Sequence, residues 1–292
     1  METEGRKMWR ALYPALAYWG VSMLVSMLFS AGILAYVISQ NGLMSVDSLI
    51  EQAVLVMSDY MYEMNIASAL AGLPLMLLFR RWDKKRAAHM GGERRFEKVK
   101  PGEYVPVLIL GVSACILLNN LMNLSGLMGV YQETADELSG VLYQGHLAVE
   151  ILGVGLLVPA VEELVFRGLT MTRMEEYWGK RNAILLSAFL FAAIHGNILQ
   201  GLYTLPLGLL LAYVYAKYRS LAAPVLFHIA ANLISVTASE LGYLDFMAKS
   251  EPLYWAITVG MAVVVLAALY AIQNRIFVKE ITKQPEAPSD GI

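Results

Sequence analysis

Glu162, Glu163 and Arg167 fall within six residues of a stretch, GVGLLVPAVEELVFRGLTM, that is otherwise apolar enough to lie in a lipid bilayer. Ionisable side chains are expensive in hydrocarbon, so three so close together point to proton transfer, ion passage or hydrolysis. On a helix, Glu163 and Arg167 are four apart and share a face, in the favourable order for an ion pair. Glu162 points about 100° away and faces something else. A carboxylate in low-dielectric surroundings is a stronger base than one in water. That argues for Glu162 as the chemical residue, with Glu163 as the structural partner of Arg167. Pro159, three residues earlier, removes a helix hydrogen bond and frees a carbonyl one turn back. Such a defect survives in a membrane where protein or water satisfies it, so a hydrated pocket is expected beside the two acids.

The other candidates lie further along. His195 ends the apolar segment AILLSAFLFAAIH, with Phe191 one turn before it, and His228 sits in APVLFHIAANLIS with Asn232 four residues on. His228 and Asn232 therefore share a helical face. Pro224, four before His228, repeats the placing of a proline one turn ahead of polar residues. Glu162, His195 and His228 with one open position form a reasonable catalytic zinc set. Without metal, the same residues form a base with hydrogen-bond donors for an oxyanion. Taken singly, each has a plainer role, because intramembrane His and Asn also serve as glue between helices. For Asn119, Asn120 and Asn123, helix packing is the better reading and lining a cavity the second. Glu150 is expected near the membrane surface with its carboxylate snorkelling to water, and His89 and His146 in solvated loops.

Composition says what positions these residues. Of 292 residues, 58% are apolar and only 16% charged, and the mean hydropathy is +0.54. A soluble domain carries about a quarter charged residues, so the expectation is an all-α, polytopic membrane helix bundle. Windows long enough for a ~30 Å hydrocarbon core predict eight spans, at 12–38, 63–80, 104–124, 147–170, 182–199, 202–216, 221–239 and 253–275. The first is too long for a signal-peptide core of roughly 7–15 residues and is read as retained. The amphipathic stretch 42–60 is read as interfacial. Basic connections (Arg6, Lys7 and Arg10; nine Lys and Arg in 80–100; Arg173, Lys180 and Arg181; Lys217 and Arg219; Arg275, Lys279 and Lys283) alternate with acidic ones around Asp47, Glu133 and Glu240. The positive-inside rule then puts both termini in the cytoplasm. The 80–100 loop is read as ordinary positive-inside charge, not as a nucleic-acid site. The lone Cys115 cannot form an internal disulfide. Residues 1–292 are read as one membrane domain with N-terminal spans over 1–144, a core over 145–240 and a disordered tail over 276–292.

Three motifs carry a resemblance. EELVFR at 162–167 matches EExxxR, FAAIH at 191–195 matches FxxxH and HIAAN at 228–232 matches HxxxN. In this order, on predicted membrane helices, they resemble the CAAX protease and bacteriocin-processing (CPBP, or Abi) family of intramembrane endopeptidases, over about residues 145–240. The resemblance implies that Glu162 activates a water with help from His195, that His228 and Asn232 stabilise the oxyanion, and that Glu163 and Arg167 organise the site. It also implies a peptide or lipidated, CAAX-like protein as substrate, membrane lipid as surroundings and a bacterial cell membrane as location. Members are often called metalloproteases, which keeps a zinc ion on Glu162, His195 and His228 among the expectations. Two readings from other classes stand beside it: a proton-coupled transporter, against which no inverted repeat is evident, and a non-catalytic immunity or scaffold protein. One tension is geometric. Glu162 and His228 fall toward the basic end of their spans, whereas His195 lies 14 residues past Arg181, ~21 Å along a helix. The three meet if the fifth helix begins outside the membrane.

Overall fold

The computed structural model describes residues 2–42, 45–89, 99–130, 147–243, 246 and 250–283, and it is all helix. Arg94, Arg95, Lys98, Glu133, Asp136, Glu137, His146, Asp245 and the tail from residue 284 lie outside the described residues. In order, the helices are α1 (Glu4–Asn41), α2 (Val46–Asp59), α3 (Met61–His89), α4 (Val105–Leu124), α5 (residues 147–178), α6 (residues 180–194), α7 (Ile198–Tyr218), α8 (Ala222–Glu240) and α9 (Glu251–Lys283). A single helical turn, Leu127–Val130, follows α4. Gly179, at φ 77° and ψ 168°, separates α5 from α6. A side chain there would be strained, so glycine is what lets the chain turn back so sharply.

Among the described residues, six helices are long and apolar enough to cross a membrane by length and composition: Glu4–Asn41, Met61–His89, Pro101–Leu124, Ile198–Tyr218, Ala222–Glu240 and Glu251–Arg275. They coincide with six of the eight expected spans. The other two expected spans are also helical, and they are the ones that carry the polar motifs. Helix α5 holds Glu150, Glu162, Glu163 and Arg167, while α6 spans only residues 180–194, about 22 Å against a ~30 Å core. The amphipathic α2 has no buried residue and is capped by Ser45, whose hydroxyl accepts from Ser48 N at 3.2 Å. At ~21 Å it is too short to span. Helix α3 runs on to His89, so the first half of the basic 80–100 segment is helix rather than loop. His89 is exposed at its end. Glu150 differs from expectation more sharply: it is fully buried at the start of α5.

Packing places α5 at the centre. Its first half lies against α3 and α8, and its second half against α1, α3, α6 and α7. Helix α4 packs along α8 and α9, and α6 along α7. Two glycines set close approaches. A Cβ on Gly111 of α4 would stand 2.5 Å from the Phe227 carbonyl oxygen of α8, and one on Gly208 of α7 would stand 3.3 Å from Ala188 Cα of α6.

The helix ends at one end of the bundle are tied by a charged collar. Arg173, fully buried, donates from Nε to Asp83 Oδ2 at 2.8 Å and from Nη1 to the Arg10 carbonyl at 2.8 Å. Arg219 forks onto Glu175 with two bonds of 2.8 Å. Arg275 pairs with Glu103, whose carbonyl accepts from the Tyr218 hydroxyl at 2.8 Å. These residues belong to the start of α1, the ends of α3, α5, α7 and α9, and the approach to α4. The collar thus holds one arginine from each of four of the basic segments, Arg10, Arg173, Arg219 and Arg275, at one end of the bundle.

Candidate active site

Between residues 151 and 171, α5 is not a plain α-helix. Two π-helical stretches, Ile151–Leu157 and Leu164–Met171, flank the α-helical turn Val158–Glu163, with Pro159 in its first positions. Wide π turns inside helices mark functional sites more often than chance. Here they bracket the two acids. Pro159 is thus accompanied by a change of helical winding on both sides of the acids.

Arg167 and Glu163 are both fully buried, and Nη1 donates to Glu163 Oε1 at 2.8 Å. The other arm, Nη2, donates to the Gly208 carbonyl of α7 at 3.0 Å, and the guanidinium carbon lies 4.6 Å from the centre of the Phe191 ring of α6. One arginine thereby links α5, α6 and α7. The ion pair is the one the i, i+4 spacing predicts.

Glu163 has a second partner. His228 Nδ1 donates to the same Oε1 at 2.9 Å, and the imidazole is 4% exposed. Its other nitrogen, Nε2, lies 3.8 Å from Glu162 Oε2. The two acids therefore do not face unrelated surroundings, as a 100° separation suggests; they address opposite nitrogens of one histidine. The 3.8 Å gap is too long for a direct hydrogen bond. The Glu162 side chain keeps 20% of its surface, against none for Glu163. Glu163 thus has one oxygen shared by two partners and no exposed surface, whereas Glu162 remains partly open.

His195 caps α6, and its Nδ1 donates to the Phe191 carbonyl at 2.7 Å. Because a carbonyl only accepts, the proton is on Nδ1 and Nε2 offers a lone pair in the neutral ring. The Phe191 ring stands edge-on to both imidazoles, with centroids 4.8 Å from His195 and 5.8 Å from His228, and it meets Phe166 at 5.1 Å. Counted from the collar, Glu162, Phe191, Gly208 and His228 all lie roughly 13–16 Å along their helices. His195 lies one turn further. Glu162 and His228 thus come together, whereas His195 stays one turn deeper and is joined to His228 through the edge of the Phe191 ring. Asn232, on the His228 face of α8, donates from Nδ2 to the Val154 carbonyl at 2.9 Å, on the first π-helical stretch of α5.

The zinc set fits this arrangement poorly. His195 is held a turn away by its own helix, and among the described residues no three His, Cys, Asp or Glu side chains converge on a metal-sized site, although both histidines bond through Nδ1 and keep Nε2 open. No step below is routed through a metal.

Some contributors carry no sequence signal. Gly208 acts through its carbonyl, which any residue supplies. Tyr18 of α1 is 8% exposed, packs its ring over Gly72 of α3 and lies within electrostatic reach of Glu162. Nothing in its own apolar span distinguishes it. Of the three asparagines on α4, Asn120 is a packing residue, donating to Thr258 Oγ1 at 2.9 Å. Asn119 lines a cavity. That cavity contains none of Glu162, Glu163, His195, His228 or Asn232, and Asn123 bonds the Asn119 carbonyl on its own helix.

Against known proteins, residues 144–234 match the family model described as type II CAAX prenyl endopeptidase, Rce1-like. This is a little under a third of the chain, and it contains all three motifs. The comparisons with curated proteins and with solved structures each found no match. The chain is a multi-pass, all-helical membrane protein whose site helices match an Rce1-like model, consistent with the CPBP/Abi resemblance drawn from its motifs.

Proposed function

We propose that this protein is an intramembrane endopeptidase that hydrolyses a peptide bond of a membrane-associated or lipidated, CAAX-like protein or peptide. The observation that carries the reading is the division of labour between the acids. Glu163 is fully buried and bonded to both Arg167 and His228, while Glu162 is partly open and faces the free nitrogen of the same histidine. A water on the open side of the Glu162–His228 pair reaches both groups. Glu162 takes its proton as the oxygen attacks the scissile carbonyl. The tetrahedral oxyanion accepts a hydrogen bond from the His228 and Asn232 side of the pocket. Glu162 then returns the proton to the departing amine. His195, with its lone pair on Nε2, assists from one turn away. Counting charge, two carboxylates and one guanidinium leave one negative, so a single proton on the Glu162–His228 pair makes the buried set neutral. A neutral set suits a site where net charge is costly.

The lipidated substrate class rests on the Rce1-like match over residues 144–234. The test is peptidomics of host membranes carrying either the wild type or Glu162→Ala at equal amounts. The reading requires a set of cleavage products that disappears in the variant while the protein still inserts and purifies. Identical peptide profiles would remove it.

A further inference from the structure

The bundle is sealed on one side of the site and loose on the other. Toward the collar, every side chain of α5 from Glu163 to Met174 is buried, Gly168 apart. On α8, Ala223, Pro224, Phe227 and His228 are buried, while Ala222 is exposed and Val225 and Leu226 are half-exposed on the face turned outward. Away from the collar the pattern reverses. On α5, Ile151, Val154, Leu156, Leu157, Val158 and Ala160 are half-exposed and Leu152 is exposed; on α8, residues 229–235 are half-exposed except Ala231.

A cavity lies on the loose side, between α4 and α8. Cys115 and Asn119 line it from α4, Ser235 and Ser239 from α8, and Tyr243 from just beyond α8. Ile116, Ile234 and Ala238 complete the lining, and the cavity's 60 Å³ has room for about two waters at the ~30 Å³ each takes in liquid. The lining also offers the two to four polar partners a water requires. The cavity begins within one turn of Asn232. At ~100° per residue, His228, Asn232, Ser235 and Ser239 fall within about 60° of arc, so one polar line on α8 joins the site to the cavity. Cys115 already accepts from the Tyr203 hydroxyl and Asn119 donates to the Cys115 carbonyl, so both would share their remaining capacity with water.

We infer that this cavity and the His228–Asn232–Ser235–Ser239 face of α8 form a hydration path that brings water to the site from the end of the bundle away from the charged collar. The path concerns water alone and does not rest on the endopeptidase reading.

The test is thiol accessibility in lipid nanodiscs, which needs no substrate. In a Cys115→Ala background (Cys115→Ser if alanine does not fold), single cysteines are placed at Ser239, Ser235 and Asn232. Two controls are Leu266→Cys, facing lipid on α9, and Thr170→Cys, on the sealed side of the site. A charged methanethiosulfonate reacts with thiolate, which forms in water and not in hydrocarbon. The expected result is modification at all three path positions at least about tenfold faster than at either control, with rates falling from 239 to 232. Reaction at Ser235→Cys and Asn232→Cys no faster than at Leu266→Cys overturns the path. So does faster reaction at Thr170→Cys than at Ser235→Cys. Loss of peptidase products in other experiments leaves these rates untouched, so the two readings fail separately.

Discussion

Replacing Arg167 with methionine keeps the volume of the side chain roughly constant and removes the guanidinium that joins three helices. Arg167 and Glu163 are fully buried, so the variant leaves Glu163 in the interior with His228 as its remaining partner. Breaking a buried pair from one side costs about 3–5 kcal/mol, because the abandoned charge is no longer compensated. The lost bond to the Gly208 carbonyl and the lost contact with the Phe191 ring are part of the same truncation and are not added to it. At about 2–4 °C per kcal/mol for a domain of some 200 residues, the melting temperature should fall by roughly 6–20 °C. Intrinsic fluorescence from the five tryptophans follows unfolding in mild detergent. The decisive comparison is the double variant Glu163→Gln with Arg167→Met. Removing both charges avoids the uncompensated carboxylate, so the double variant should melt above Arg167→Met, with a coupling of about 2 kcal/mol or more between the sites. If Arg167→Met melts within about 2 °C of wild type, or the double variant is no better than the single, the ion pair is not the organising contact.

Other perturbations test the surrounding shell. Gly111→Ala sets a methyl 2.5 Å from the Phe227 carbonyl, so α4 and α8 must separate beside His228; a loss of about 1–3 kcal/mol by thermal melting is expected, together with lost cleavage. Phe191→Ala removes the ring shared by Phe166, Arg167, His195 and His228 and should cost about 3–5 kcal/mol on the same assay. Phe191→Tyr keeps the ring and should retain most of that stability. Asp83→Ala abandons the buried Arg173 at the collar; the melting temperature should drop while Asp83→Glu restores most of it, and equal melting of both would place no weight on that pair.

How far the sequence anticipates this arrangement depends on whether a contact is encoded by local spacing. Glu163 and Arg167 are four apart on one helix, and their pairing follows from α-helical geometry alone. Six of the eight apolar windows are helices long and apolar enough to cross a membrane, because burial in lipid is written directly into composition. The charge alternation likewise anticipates the collar. What spacing cannot supply is the convergence of Glu162 and Glu163 on one imidazole. That contact depends on the π-helical winding on either side of Pro159 and on how closely α8 lies against α5, where a Cβ on Gly155 would stand 2.7 Å from Leu233 Cδ2. Glu150 illustrates the same limit. Its position near a span end suggests a solvated carboxylate, yet α3 and the rest of α5 close over it. Tyr18 and the Gly208 carbonyl join the site wholly through tertiary packing, and no residue-level signal marks either.

The central claim is that Glu162 is the base while Glu163 is structural. Its most direct measurement compares cleavage products from membranes carrying wild type and Glu162→Gln, a change that keeps the shape of the side chain and removes its basicity. The account predicts products from the wild type and none from Glu162→Gln, with the variant inserting and melting like the wild type because the Glu163–Arg167–His228 contacts are intact. Wild-type cleavage by Glu162→Gln would contradict it.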